Sequence, residues 1–308
     1  MTDTKHNLTI RQPSRVTLRK TADLMALTKK LLAGRNALAS AETLDLWMQE
    51  LWDWADENDI SDDELPRDKE RLLKCTSLDL RDNQLQPLPE SLGNLTQLKY
   101  LVLMNNELQL LPDWLGNLTQ LECLDLGGNS LQSLPDWLGN LTQLTSLSLS
   151  GNELESLPGW LGNLTQLTRL ELGWNVLELL PESLGNLTQL TSLELCCNNL
   201  QSLLESLSNL TQLECLELDN NSLQSLPESL SNLTQLTCLE LGWNELELLP
   251  ESLGNLTQLT SLGLSCNNLQ SLPDSLGNLT QLTHLNLEGY SGEIPHALLA
   301  NPNLWITQ

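Results

Sequence analysis

The chain of 308 residues has no phenylalanine, two tyrosines and three histidines, and only 15 Lys and Arg against 40 Asp and Glu. Without phenylalanine, an interior has to be filled by aliphatic side chains. Three histidines, His6, His284 and His296, two of them in the terminal regions, leave little material for acid–base chemistry. No phosphate loop and no Gly-x-Ser-x-Gly is present, so an enzyme is not expected. No apolar run approaches the roughly 18 residues of a membrane span. No apolar stretch follows the basic residues of the opening MTDTKHNLTIRQPSRVTLRK either, so a secretory signal is not visible. The expected location is the cytoplasm, with specialised secretion left open. Seven cysteines, an odd number, then read as free thiols.

Positive charge is scarce and unevenly placed. Residues 5–35 hold eight Lys and Arg and one acid, whereas from Leu72 onward only Lys74, Arg81, Lys99 and Arg169 face 26 acids. Phosphate binding needs a positive field, so nucleic acid is an improbable partner for this part. A neutral or basic ligand fits it better.

What the chain has instead is leucine at fixed intervals. From Leu72 to Asn278 one 23-residue sentence, LTQLxxLxLxxNxLxxLPxxLGN, is written nine times without insertion or deletion, and an incomplete tenth copy starts at Leu279. A period of this length marks a stacked-repeat architecture. Within a copy, Leu124 and Leu126 alternate with Cys123 and Asp125, so a short strand turns its leucines inward. One such strand cannot bury its apolar face alone. Stacked copies pair as parallel neighbours about 4.8 Å apart and share a continuous core. The recurring Asn (Asn106, Asn129, Asn152 and onward) falls where the chain leaves the strand, and its amide is suited to satisfy backbone groups of its own and the next copy. Asn-Leu-Thr, which recurs at Asn94, Asn117 and Asn140, reads as part of the repeat and not as a glycosylation acceptor.

The core LxxLxLxxNxL, as in Leu121-Glu-Cys-Leu124-Asp-Leu126-Gly-Gly-Asn129-Ser-Leu131, closely resembles the leucine-rich-repeat family. The LPxxLGN that follows is similar to the 23-residue class of bacterial repeat proteins and of Ras-binding scaffold proteins. This resemblance implies an α/β solenoid: a curved horseshoe with a parallel sheet on its concave face and short helical or irregular arcs on the convex face. It assigns no partner.

Open ends would expose the leucine core, so caps are expected. Residues 1–71 read as a helical N-terminal cap with a basic start. One helix is expected over Thr21 to Leu38 and a second from Ser40 to about Asn58, carrying Trp47, Trp52 and Trp54. The basic stretch Arg11 to Arg35 would alternatively face an acidic partner or surface. Residues 72–278 form the array and 279–308 a degenerate tenth copy with the C-terminal cap, in which Trp305 calls for no functional explanation. Cys75 takes a leucine place and is expected in the core.

Function must lie in the places that vary. Counting from each Leu-Thr-Gln, positions 6, 8, 10, 11 and 13 are expected to line the concave face. Position 8 carries Glu171, Glu194, Glu217 and Glu240 in four consecutive copies, a column of carboxylates about 5 Å apart. Asp125, Asp219, Arg169 and Tyr100 extend this candidate partner-binding surface, and Trp174 and Trp243 at position 11 are candidate aromatic anchors beside it. Trp114, Trp137 and Trp160, at position 20, read either as packing between arcs or as a second contact patch. The column is either a solvated face or a seat for a basic segment of a partner protein. Flat strand positions cannot wrap a metal ion, and the cysteines lack paired metal-ligand spacing, so neither metal nor cofactor is expected. The favoured function is a non-enzymatic, monomeric protein-interaction module. A secreted bacterial effector or immune-type recognition protein is the alternative, and regulation of a small GTPase rests on the resemblance alone.

Overall fold

The computed structural model describes residues 42–308. The expected helix over Thr21 to Leu38, the stretch Arg11 to Arg35 and Ser40 lie outside the described residues. The chain divides into two units between Glu50 and Leu51, and the second, Leu51–Gln308, is compact and wholly within the described residues. Helix α1 spans Glu42–Glu57 and a short helix α2 spans Lys69–Leu73, the latter N-capped by Asp68, whose carboxylate accepts the Arg71 amide. Between them the Trp52 indole donates to the Pro66 carbonyl at 3.0 Å, and Leu51, Ala55, Ile60, Leu65 and Leu72 are buried.

The second unit is built on eleven parallel strands of three residues each, in sequential order and in register: β1 Ser77–Asp79, β2 Tyr100–Val102, β3 Cys123–Asp125, β4 Ser146–Ser148, β5 Arg169–Glu171, β6 Ser192–Glu194, β7 Cys215–Glu217, β8 Cys238–Glu240, β9 Ser261–Gly263, β10 His284–Asn286 and β11 Trp305–Thr307. The sheet is open, and the solenoid with short helical turns expected from the repeat is what the chain adopts. In the third copy Leu118, Leu121, Leu124, Leu126, Leu131 and Leu138 are fully buried. Each such side chain contributes about 2 kcal/mol by removal from water.

Proline starts each return arc. Pro135, at φ −74°, leads into the 3₁₀ turn Asp136–Asn140, and the pattern recurs in every copy with a proline at that place. Leu204 substitutes for it once, at φ −79°, because the place needs only an extended residue.

The asparagine works backward along the array. Asn129 Nδ2 donates to Leu103 O in the preceding copy (3.0 Å) and to its own Leu126 O (2.9 Å), while its Oδ1 accepts from Leu108 N of the preceding copy (3.0 Å). The expectation of a bond to the next copy is therefore corrected. The αL turn before Asn points the amide toward the strand already laid down.

Two other expectations change. Cys75 is half-buried, with its thiol near the Ser77 carbonyl at 3.0 Å, and burial pushes its pKa up. The C-terminal segment adds a short helix α3, His296–Leu299, and then the eleventh strand, in which Trp305 pairs with His284.

Candidate functional site

Pairing register brings the four glutamates together. Glu171 is opposite Glu194, Glu194 opposite Glu217, and Glu217 opposite Glu240, so position 8 of β5 to β8 is one continuous row of carboxylates on the open face. Repulsion between neighbours about 5 Å apart is worth roughly 1 to 3 kcal/mol. Three local devices relieve it. Arg169 closes on Glu171 at 2.5 Å and neutralises the head of the row. Glu194 leans over Gly173 and Glu240 over Gly263, into space that a Cβ at either glycine would take, and so both swing away from Glu217. Donors on the same face finish the arrangement: Ser261 Oγ lies 2.8 Å from Glu240, and the thiols of Cys196, Cys215 and Cys238 lie 3.6, 3.7 and 3.7 Å from Glu194, Glu217 and Glu240.

The row still holds uncompensated charge. Among the described residues no Lys or Arg pairs with Glu194, Glu217, Glu240 or Asp219. Burial, with the Glu171 charge next in weight, raises the Glu194 pKa. Asp219, at position 10 of the seventh copy, accepts the Gly242 amide at 2.8 Å, yet burial first and the charges of Glu240 and Glu217 next push it to about 6. Cys215 and Cys238 are register partners, and a hydrogen bond between their thiols lowers the pKa of Cys215 while raising that of Cys238.

Other candidates stand apart from the row. Asp125 is on β3, where it accepts the Gly127 amide at 2.9 Å. Tyr100 is on β2, and its hydroxyl donates to Glu122 beside the Lys99–Glu122 ion pair. Positive charge on the sheet thus sits mainly on early copies, with Arg81 held by Asp79 at 2.8 Å.

The two tryptophan groups fall in opposite environments. Trp114, Trp137 and Trp160 stand between arcs: their Cβ atoms lie 3.0, 3.2 and 3.1 Å from where a side chain on Gly93, Gly116 and Gly139 would begin, and their indole N–H groups are sealed from solvent. Trp174 and Trp243 are each 64% exposed and stand at φ +54°.

That left-handed conformation belongs to the repeat. Position 11 has positive φ in every copy from Asp82 to Gly289. The backbone enforces it, because the amide there donates to position 10 of the next copy, as in Trp174 N to Cys196 O (2.9 Å) and Trp243 N to Ser265 O (2.8 Å). Gly, Asn or Asp occupy six of these places (Asp82, Asn105, Gly128, Gly151, Asn220, Gly289), a signal in the sequence that would have found the turn. A bulky residue there costs about 1 kcal/mol or more.

Sequence reasoning also missed the C-terminal depression on the open face, lined by Glu240, Ser261, His284, Asn286 and Trp305. It exists because β11 extends the sheet past the last recognisable repeat. Among the described residues no three His, Cys, Asp or Glu converge as metal ligands, and no helix is long and apolar enough to cross a membrane.

Comparison with known proteins places this geometry. The family described as leucine-rich repeat region matches residues 115–229 and 193–300, and that described as leucine rich repeat matches residues 74–131. No curated protein matches the chain. Among solved structures, a leucine-rich-repeat protein of Leptospira interrogans is 33% identical with a TM-score of 0.74, over 78% of this chain and 62% of that one. This chain therefore spans less than two thirds of that protein's length. An internalin of Listeria monocytogenes is 26% identical (TM-score 0.60; 77% and 74% covered). A plant peptide hormone receptor in complex with RGF2 is 29% identical (TM-score 0.62; 77% and 40% covered).

Proposed function

Because the chain belongs to the leucine-rich-repeat family, we propose that it is a protein-interaction module without catalytic activity of its own, which holds a basic segment of a partner protein against the open face of β5 to β8. The observation that carries this reading is the register of Glu171, Glu194, Glu217 and Glu240 with one cation, Arg169, at its head. A stacked-repeat scaffold gains nothing in stability from such a row, since each neighbour pair is repulsive. Cations from a partner convert the repulsion into binding free energy and set a strong salt dependence. The similar plant receptor occurs in complex with RGF2, which supports a ligand-holding role for an array of this kind.

The test is capture of partners from lysate of the source organism by the native chain and by a variant carrying Glu171→Lys, Glu194→Lys, Glu217→Lys and Glu240→Lys, with circular dichroism confirming that both fold. A partner held by the native chain, released by rising salt and lost at least a hundredfold by the variant supports the acidic-face reading. An identical set of partners on both chains removes the row from the mechanism.

A further inference from the structure

The copies starting at Leu164 and Leu233 differ at only two places, Arg169 against Cys238 and Val176 against Glu245. Every other place is identical, so the position-11 Trp and the outward leucine that follows it recur three strands apart. In each copy a Trp stands at φ +54° and 64% exposed, followed by an outward leucine, Leu179 at 68% and Leu248 at 59% exposure. The two copies between them carry small residues at position 11, Cys197 and Asn220, joined by a 3.3 Å contact from the Asn220 amide to the Cys197 thiol. Two apolar posts thus flank a low, polar saddle.

Their spacing selects the shape of what they hold. Three strand steps of about 4.8 Å put the posts roughly 14 Å apart along the sheet. A helix rising 1.5 Å per residue covers that distance in between nine and ten residues, which brings the second side chain round to a different face. An extended chain rising about 3.4 Å per residue covers it in four residues, and residues i and i+4 lie on the same side.

Register then fixes the intervening chemistry. Residues i+1 and i+3 point the other way, toward position 8, at roughly 3 and 10 Å from the first post. Glu194 stands one strand step along and Glu217, with Asp219 behind it, two steps along, and none of the three has a cationic partner among the described residues. Residue i+2 faces the Cys197 and Asn220 saddle, where a small polar side chain fits.

We propose that the site takes an extended segment of a partner protein reading apolar, basic, small, basic, apolar, with its outer side chains on Trp174 and Trp243 and its two cations over Glu194 and Glu217. This deepens the acidic-face reading and rests on it.

Position 11 accommodates asparagine at Asn105 (φ +53°) and Asn220 (φ +54°), so Trp174→Asn with Trp243→Asn removes both posts without asking for a new backbone. The probes are three fluorescein-labelled nonapeptides of one composition: GSLKSKLSG, with leucines four apart, and GSLKKLSSG and GLKSSKLSG, with leucines three and five apart. Fluorescence anisotropy at low salt is expected to show the first binding the native chain at least ten times more tightly than the other two. That preference disappears in the double asparagine variant, which binds all three alike, and the four-lysine variant binds none. Equal affinity of the three peptides for the native chain overturns the register and leaves the acidic-face reading standing. Failure of all three to bind the native chain also overturns the register, and lysate capture then decides the acidic face separately.

Discussion

Copies two to four and copies five to eight share one backbone and use the same side chain in opposite ways. In the earlier copies the tryptophans are at position 20, folded between arcs against glycine, and the cations of the sheet are already matched to carboxylates, as in Lys99 with Glu122. In the later copies position 20 is serine, and the tryptophans move to position 11, where the backbone holds them in a disfavoured conformation and in solvent. Ser183, Ser206 and Ser275 let the next arc approach until its backbone carbonyl occupies the space that a Cβ on the preceding Gly162, Gly185 or Gly254 would take. A place in the repeat, more than the residue type, decides whether an aromatic ring contributes to folding or is offered to a partner. The first region packs its rings and pairs its lysine, and the second leaves carboxylates without cations and rings in solvent.

The largest expected effect breaks the first half of that comparison. Trp137→Ser imports the serine of later copies into an arc built around a ring, and denaturant unfolding is expected to show a loss of about 2 to 3 kcal/mol, below the full-core range because the ring is partly exposed. A loss under about 0.5 kcal/mol would mean that the ring is not filling the seam.

Next in size is the ionisation of Asp219. Its ordinary value near 3.8 rises to about 6 in the folded chain, through burial first and then Glu240 and Glu217. The folded state therefore keeps a proton between these values that the unfolded chain has released. The contribution is present below 3.8 and lost as pH rises through 6. Asp219→Asn keeps an acceptor for the Gly242 amide, and at pH 8 it is expected to stabilise by about 1 kcal/mol, discounted for partial exposure. The gain should vanish below pH 4, and thermal melts across that range check it. Affinity for a basic partner is expected to follow the opposite course and rise from pH 5 to 7 as Asp219 ionises.

The smallest effect sharpens the second half. Trp174→Gly and Trp243→Gly relieve a positive φ of +54°, and each is expected to raise stability by about 0.5 kcal/mol, since the greater unfolded-state freedom of glycine offsets part of the relief, while weakening partner binding. A change of opposite sign in the two measurements is what separates a functional anchor from a packing residue. Loss of stability in both variants would place the rings among the scaffold residues.

Much of this was legible in the residues. Leucines at seven places per copy and one asparagine determine the stack, because period-two burial and in-register pairing follow from them, and Leu204 for proline changes nothing since φ near −79° suits either. The row of glutamates was also readable, because position 8 repeats in four consecutive copies. What stayed hidden depends on neighbouring copies. The glycines that receive Glu194 and Glu240 lie one copy before and one copy after their carboxylates, at Gly173 and Gly263. The eleventh strand escaped because Trp305, Ile306 and Thr307 follow a shortened copy and pair by edge hydrogen bonding, with Trp305 N donating to Thr283 O at 2.8 Å. The left-handed turn at position 11 was present as Gly, Asn and Asp enrichment, masked by the two tryptophans and two cysteines that share the place.

Carboxyl footprinting of the chain with and without its captured partner tests the central claim most directly, because carbodiimide labelling reports each glutamate by position. The account predicts that Glu194, Glu217 and Glu240 are protected at least severalfold in the complex, while Glu182, Glu228 and Glu251 on the return arcs label as before. Equal labelling of the row in the free and bound chain, or protection confined to the arcs, would contradict it.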